Sequence, residues 1–73
     1  MIELRFHREL YDGKAVDEAL KTFDRFATLE QVDDASHWVV RVTAKDASRE
    51  QKIADEISNF ALGLTIRAGG ASA

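Results

Sequence analysis

The apolar residues of this chain change period along its length, from two to about 3.6, back to two, and to about 3.6 again. That switching limits the fold more than any other feature. Ile2, Leu4 and Phe6 alternate with Glu3, Arg5 and His7, the pattern of a strand with one buried face. Tyr11, Asp12 and Gly13 interrupt it. Asp12 is a natural N-cap there, with Tyr11 and Val16 placed as a hydrophobic staple. From Lys14 the spacing is helical. Val16, Ala19, Leu20, Phe23, Phe26 and Ala27 share one stripe, and Lys14, Asp17, Glu18, Lys21, Asp24 and Arg25 cover the other side. A helix over about 13 to 26 is predicted, with Asp17 and Lys21 as a well-oriented i,i+4 pair.

The second half repeats the alternation of types. Residues 28 to 32 read as a short strand, and the turn formers Asp33, Asp34, Ala35 and Ser36 follow. His37 to Thr43 is the most β-prone segment, with Trp38, Val40, Val42 and Ala44 on the face expected to be buried. Ser48 to Gln51 reads as a capping box opening a second helix, whose stripe is Ile53, Ala54, Ile57, Phe60, Ala61 and Leu64. Residues 64 to 67 admit two readings, a fourth strand after a Gly63 cap or continuation of the helix to about Ile66. Continuation is favoured, because Leu64 stays on the stripe and a one-residue connection to a strand is very tight. Residues 68 to 73 read as a flexible tail after a single domain over 1 to 67.

The element order β-α-β-β-α predicts an α+β two-layer sandwich, a ferredoxin-like split β-α-β lacking its fourth strand or keeping only a short one. Strand three then lies between strands one and two, with both helices on one face. The missing strand leaves Glu3, Arg5 and His7 on an edge strand able to pair with another chain. Leu62 and Ile66 fall opposite the core stripe of the second helix, as apolar surface facing away from the core.

Composition strengthens the expectation of a protein partner. The chain has 73 residues and no cysteine, so its core is thin and no disulfide supports it. The missing cysteines fit a reducing compartment, and Met1 to Arg5 lacks the apolar run of a signal peptide, so a cytoplasmic protein is expected. No apolar run is long enough for a bilayer. The net charge of −3 gives no general attraction to phosphate backbones.

Candidates for chemistry are few. His7 and His37 are expected to be close on the open sheet face, where Glu9 or Asp12 would add oxygen to an imidazole zinc site. The simpler reading is two solvent-facing histidines, and no cofactor or metal is assigned. Ser36 and His37 are adjacent in sequence, which does not by itself make a nucleophile and base. Asp33 and Asp34 read as turn chemistry, and Gly69 and Gly70 precede no helix that would hold an anion. No enzyme activity is expected. An RNA- or DNA-binding sheet is the alternative function, with Arg5 and Arg41 on phosphates, but the open face has no aromatic rings besides the imidazoles.

Several of these residues also suggest a family. Tyr11, Val16, Ala19 and Phe23 on the first helix, Trp38 to Val42 on the strand, and Glu56 to Leu62 on the second helix resemble the HxsD family of the His-Xaa-Ser system. The resemblance spans most of residues 2 to 66. It implies an accessory protein in peptide maturation, a partner of a radical SAM peptide-modifying enzyme or of its peptide substrate. The residues themselves lead to a small interaction module, a homodimer or a subunit of a larger complex, with Leu62 and Ile66 as the first surface and Glu3, Arg5 and His7 as the second.

Overall fold

The alternating segments form strands and the 3.6-period segments form helices. In a computed structural model, which describes residues 1–32, 34–67 and 69, the elements are β1 (Ile2–His7), α1 (Gly13–Phe23), β2 (Thr28–Val32), β3 (His37–Thr43) and α2 (Ala47–Arg67). The sheet order is β1-β3-β2, and β3 is antiparallel to both neighbours. β1 and β2 are therefore parallel, split by β3, as the α+β sandwich requires. No fourth strand exists among the described residues. The expected tail over 68 to 73 lies, Gly69 apart, outside them.

Register follows from burial. Ile2, Leu4 and Phe6 lie opposite Val42, Val40 and Trp38, so the apolar faces of β1 and β3 coincide. The helices cover that face, and Phe6, Val16, Ala19, Val40, Val42, Ile53, Ala54, Ile57 and Ala61 form one buried cluster. Trp38 sits at its edge, donating from Nε1 to the Tyr11 carbonyl at 3.3 Å under the Arg8 guanidinium, 3.9 Å from the ring. This ring is why residue 13 is glycine. A Cβ there would stand 2.8 Å from Trp38 Cζ2.

α1 ends three residues before the predicted boundary. The chain must leave the helix to enter the sheet at Thr28, and a turn closes it, with the Phe26 amide bonded to the Phe23 carbonyl at 3.0 Å. Phe23 stays in the core edge-on to Phe60, with ring centroids 5.7 Å apart. Phe26, placed by periodicity on the buried stripe, is 47% exposed. Asp12 occupies the N-cap position but makes no side-chain cap bond. Its own amide donates instead to Oγ1 of Thr65 at 3.2 Å, tying the start of α1 to the far end of α2.

The capping box expected at Ser48 is replaced by a cap two residues earlier. Asp46 Oδ1 accepts the Arg49 amide at 2.7 Å, and the helix starts at Ala47. Gln51, the far end of the expected box, donates to Asp55 along the helix at 2.9 Å. Glu50 points inward and is buried, accepting the Ala44 amide at 3.1 Å on Oε2. Its Oε1 lies 2.7 Å from the Met1 amino group. The bond to that ammonium, and then the Ala44 amide, hold the Glu50 carboxyl below its ordinary range against the opposing effect of burial.

α2 continues through Gly63 to Arg67, and the Gly69 amide bonds the Ile66 carbonyl at 3.1 Å with Gly69 at φ 87°, a left-handed conformation that glycine accepts readily. Gly63 has no positive φ, and a Cβ added to it would meet nothing within 4 Å. Glycine at such a position costs about 0.5–1 kcal/mol relative to alanine. Neither the backbone nor the core of this chain requires it.

Candidate functional site

The sheet's outer face is built from the residues of β1, β3 and β2 that point away from the helices. Arg41 is central. In register with Glu3 on one side and Glu30 on the other, it brings Nε to 3.6 Å from Glu3 and Nη1 to 3.8 Å from Glu30. Nε of Arg41 is buried and makes no hydrogen bond among the described residues. Arg5 lies 3.3 Å from Glu3 and 3.7 Å from Asp34. Both arginines proposed for phosphate contact are therefore already engaged with carboxylates, and a nucleic acid would have to displace those partners. Nor is this face uniformly open. Val39, between Arg5 and Val32 in register, is 3% exposed.

His7 and His37 face each other across β1 and β3, with ring centroids 4.8 Å apart and planes at 72°. His7 Nδ1 accepts the Glu9 amide at 3.1 Å. In the neutral ring this puts the proton on Nε2, so neither nitrogen offers a free lone pair to a metal while that bond stands. Glu9 and Asp12 do not complete a site. Among the described residues no three His, Cys, Asp or Glu side chains form a group that could hold a metal ion.

Sequence adjacency does bring Ser36 and His37 together, with Ser36 Oγ 2.7 Å from His37 Nδ1. The third group is misplaced for catalysis. Asp34 Oδ1 lies on the same side, accepting from the Ser36 amide at 2.9 Å, the Ser36 hydroxyl at 3.0 Å and the His37 amide at 3.1 Å, and standing 3.8 Å from His37 Nδ1. A triad needs the carboxylate on one imidazole nitrogen and the hydroxyl on the other. Here all three groups close the turn into β3. The Ser36 amide first, then its hydroxyl, the His37 amide and the Arg5 charge hold the Asp34 carboxyl below its ordinary range, with burial opposing.

The helix layer presents a different surface. Leu62 is 44% exposed and Ile66 is 68% exposed. Residues 59, 62, 63 and 66 recur at helical spacing on the side of α2 away from Ile53, Ala54, Ile57 and Ala61, which are buried. Beside them a shallow recess of about 170 Å³ is lined by Asn59, Phe60, Gly63, Leu64 and Arg67. Toward the start of α2, the exposed Phe26 and the edge of the buried Ile53 line a groove of about 540 Å³ rimmed by Asp46, Arg49, Lys52 and Glu56.

The two sets of predicted interface residues do not meet. Leu62 and Ile66 lie on the outside of the helix layer, whereas the side chains of Glu3, Arg5 and His7 lie on the outside of the sheet. β1 pairs only with β3, so its other edge is unpaired among the described residues. Spacing places Gly63 inside α2 but gives it no part in a surface, and it gives none to Thr65 or Glu50 either. Gly63 and Thr65 carried a legible signal, a helix-breaking residue and a polar residue on the expected α2 path. Glu50 carried none, since spacing shows neither the Met1 amino group nor the Ala44 amide turning toward it. No helix among the described residues is long and apolar enough to cross a membrane. Compared with known proteins, the chain matches no family model, no curated protein and no solved structure.

Proposed function

We propose that this chain is a small non-catalytic protein-interaction module of the cytoplasm, acting as an accessory partner in a peptide-modification system of the radical SAM type. The observation that carries the interaction reading is the exposure of Leu62 and Ile66 on the outer face of α2. Two large aliphatic side chains at i,i+4, left exposed among the described residues, gain free energy when a partner removes them from water. The charged groups of the opposite face already have partners. The assignment to peptide modification rests on the resemblance in Tyr11, Val16, Trp38 to Val42 and Glu56 to Leu62. The edge of β1, unpaired among the described residues, suits an extended peptide, which would add to the sheet as a further strand.

The test is a parallel affinity capture from the native host at moderate salt, using the tagged full chain and its Leu62→Glu/Ile66→Glu variant. Recovery of a peptide-modifying enzyme or its short precursor by the parent chain, and its loss from the variant, supports the reading. Equal recovery by both removes the α2 surface from the interaction. Circular dichroism of the variant serves as control, because unfolding would mean that these two residues belong to the core.

A further inference from the structure

Resting on the reading of the α2 outer face as an interaction surface, we propose that its occupant is a second copy of this chain, docked helix to helix and antiparallel, with Gly63 of each copy opposite Asn59 of the other. α2 carries two seams. The inner seam is filled by its own domain. The outer one, Asn59, Leu62, Gly63 and Ile66, repeats at intervals of three and four, and among the described residues Asn59, Leu62 and Ile66 stay exposed on it. A helix apolar on two sides is built to be packed on both.

Gly63 supplies the second argument. It stands inside a helix at a stability penalty, with an ordinary backbone conformation and open space where its side chain would be. A close approach by another backbone explains such a glycine. The surface dips there into the recess beside Phe60 and Leu64. The recess, of about 170 Å³, leaves room beside Gly63 for a side chain of the partner.

Charge selects the partner and its direction. Arg67 and Glu56 are exposed at opposite ends of the outer seam, eleven positions apart. A parallel copy would keep Arg67 and Glu56 at opposite ends of the pair, too far apart to meet. An antiparallel copy centred between Asn59 and Gly63 sets Arg67 of each chain beside Glu56 of the other, twice by symmetry. It also opposes the two helix dipoles favourably. The same patch is thus complementary to itself, as a two-fold interface must be.

One helix face on each side buries less than the roughly 1,200 Å² of a stable complex, so the dimer is expected to be weak, in the micromolar range or above. Sedimentation equilibrium of the full chain from about 10 µM to about 1 mM reads it directly. The parent chain should show a monomer–dimer equilibrium. Gly63→Leu, which adds a good helix former into open space, should stay folded and associate at least tenfold more weakly. Arg67→Glu and Glu56→Arg should each weaken association about two- to fivefold, the usual scale of a surface ion pair. The double variant Arg67→Glu/Glu56→Arg should recover most of the loss. A dimer untouched by Gly63→Leu, or a double variant no better than its parents, overturns the proposed docking. If the parent chain stays monomeric at about 1 mM yet still captures a partner through Leu62 and Ile66, the self-docking proposal fails and the interaction reading stands. If the parent is monomeric and Leu62→Glu/Ile66→Glu changes no capture, both fail.

Discussion

The two outer faces of this sandwich are made from different chemistry. On the sheet, Glu3, Arg41 and Glu30 form a charged row across three strands, and Arg5 reaches Asp34 at its side. On α2, Leu62, Gly63 and Ile66 present apolar surface and open space. The charges of the sheet face answer one another. The helix face leaves Leu62 and Ile66 exposed among the described residues. Charge density therefore misleads as a guide to function here, because paired charges offer a partner little, whereas bare aliphatic groups on an otherwise filled helix offer free energy.

The largest expected effect tests the contrast between the two seams of α2. Ile57 is fully buried, so Ile57→Ala should lower unfolding stability by about 2–5 kcal/mol. Ile66→Ala, the same residue type on the outer side, should stay within about 0.5 kcal/mol. Urea denaturation of dilute monomer measures both, and a large loss at Ile66 would place it in the core.

The two helical glycines should respond with opposite signs. Gly13→Ala drives a methyl into the Trp38 ring and should destabilise the fold by about 1–3 kcal/mol. Gly63→Ala meets open space and should stabilise it by about 0.5–1 kcal/mol. A destabilising Gly63→Ala in thermal melts would mean that α2 packs against its own chain there.

Smaller changes are expected on the sheet. Arg41→Gln should alter stability by less than about 1 kcal/mol, with the difference fading at high salt, and should leave partner capture unchanged. Loss of capture would move the functional surface to the sheet.

Acid gives the least localised test. Asp34 and Glu50 both have folded pKa values below their ordinary ones, so at low pH the unfolded chain binds more protons. Their contribution is complete above the unfolded carboxylate range, about pH 4–4.5, and is lost as pH falls through the folded values. Urea midpoints taken from pH 6 down to pH 3 should therefore decline, and less steeply in Asp34→Asn. Midpoints that hold steady would mean that the hydrogen bonds to these carboxylates do not persist in solution.

Periodicity determined most of the architecture. The alternation in residues 2 to 7 and 37 to 43, and the helical stripes at Val16, Ala19, Ile53 and Ile57, specify element types and buried faces locally. The same wheel geometry placed Leu62 and Ile66 outside, because exposure opposite a filled seam depends only on spacing. What spacing cannot carry is where the chain must turn. Phe26 continues the α1 stripe in sequence, yet it is exposed because the backbone leaves the helix to reach β2. Asp46 displaced the box at Ser48 because capping depends on which oxygen meets the free amides, and Glu50 was drawn inward by the Ala44 amide and the Met1 amino group. The engagement of Arg5 and Arg41, the buried Val39 and the open space at Gly63 came from tertiary structure alone. Each depends on neighbours that only strand pairing and helix packing bring within reach.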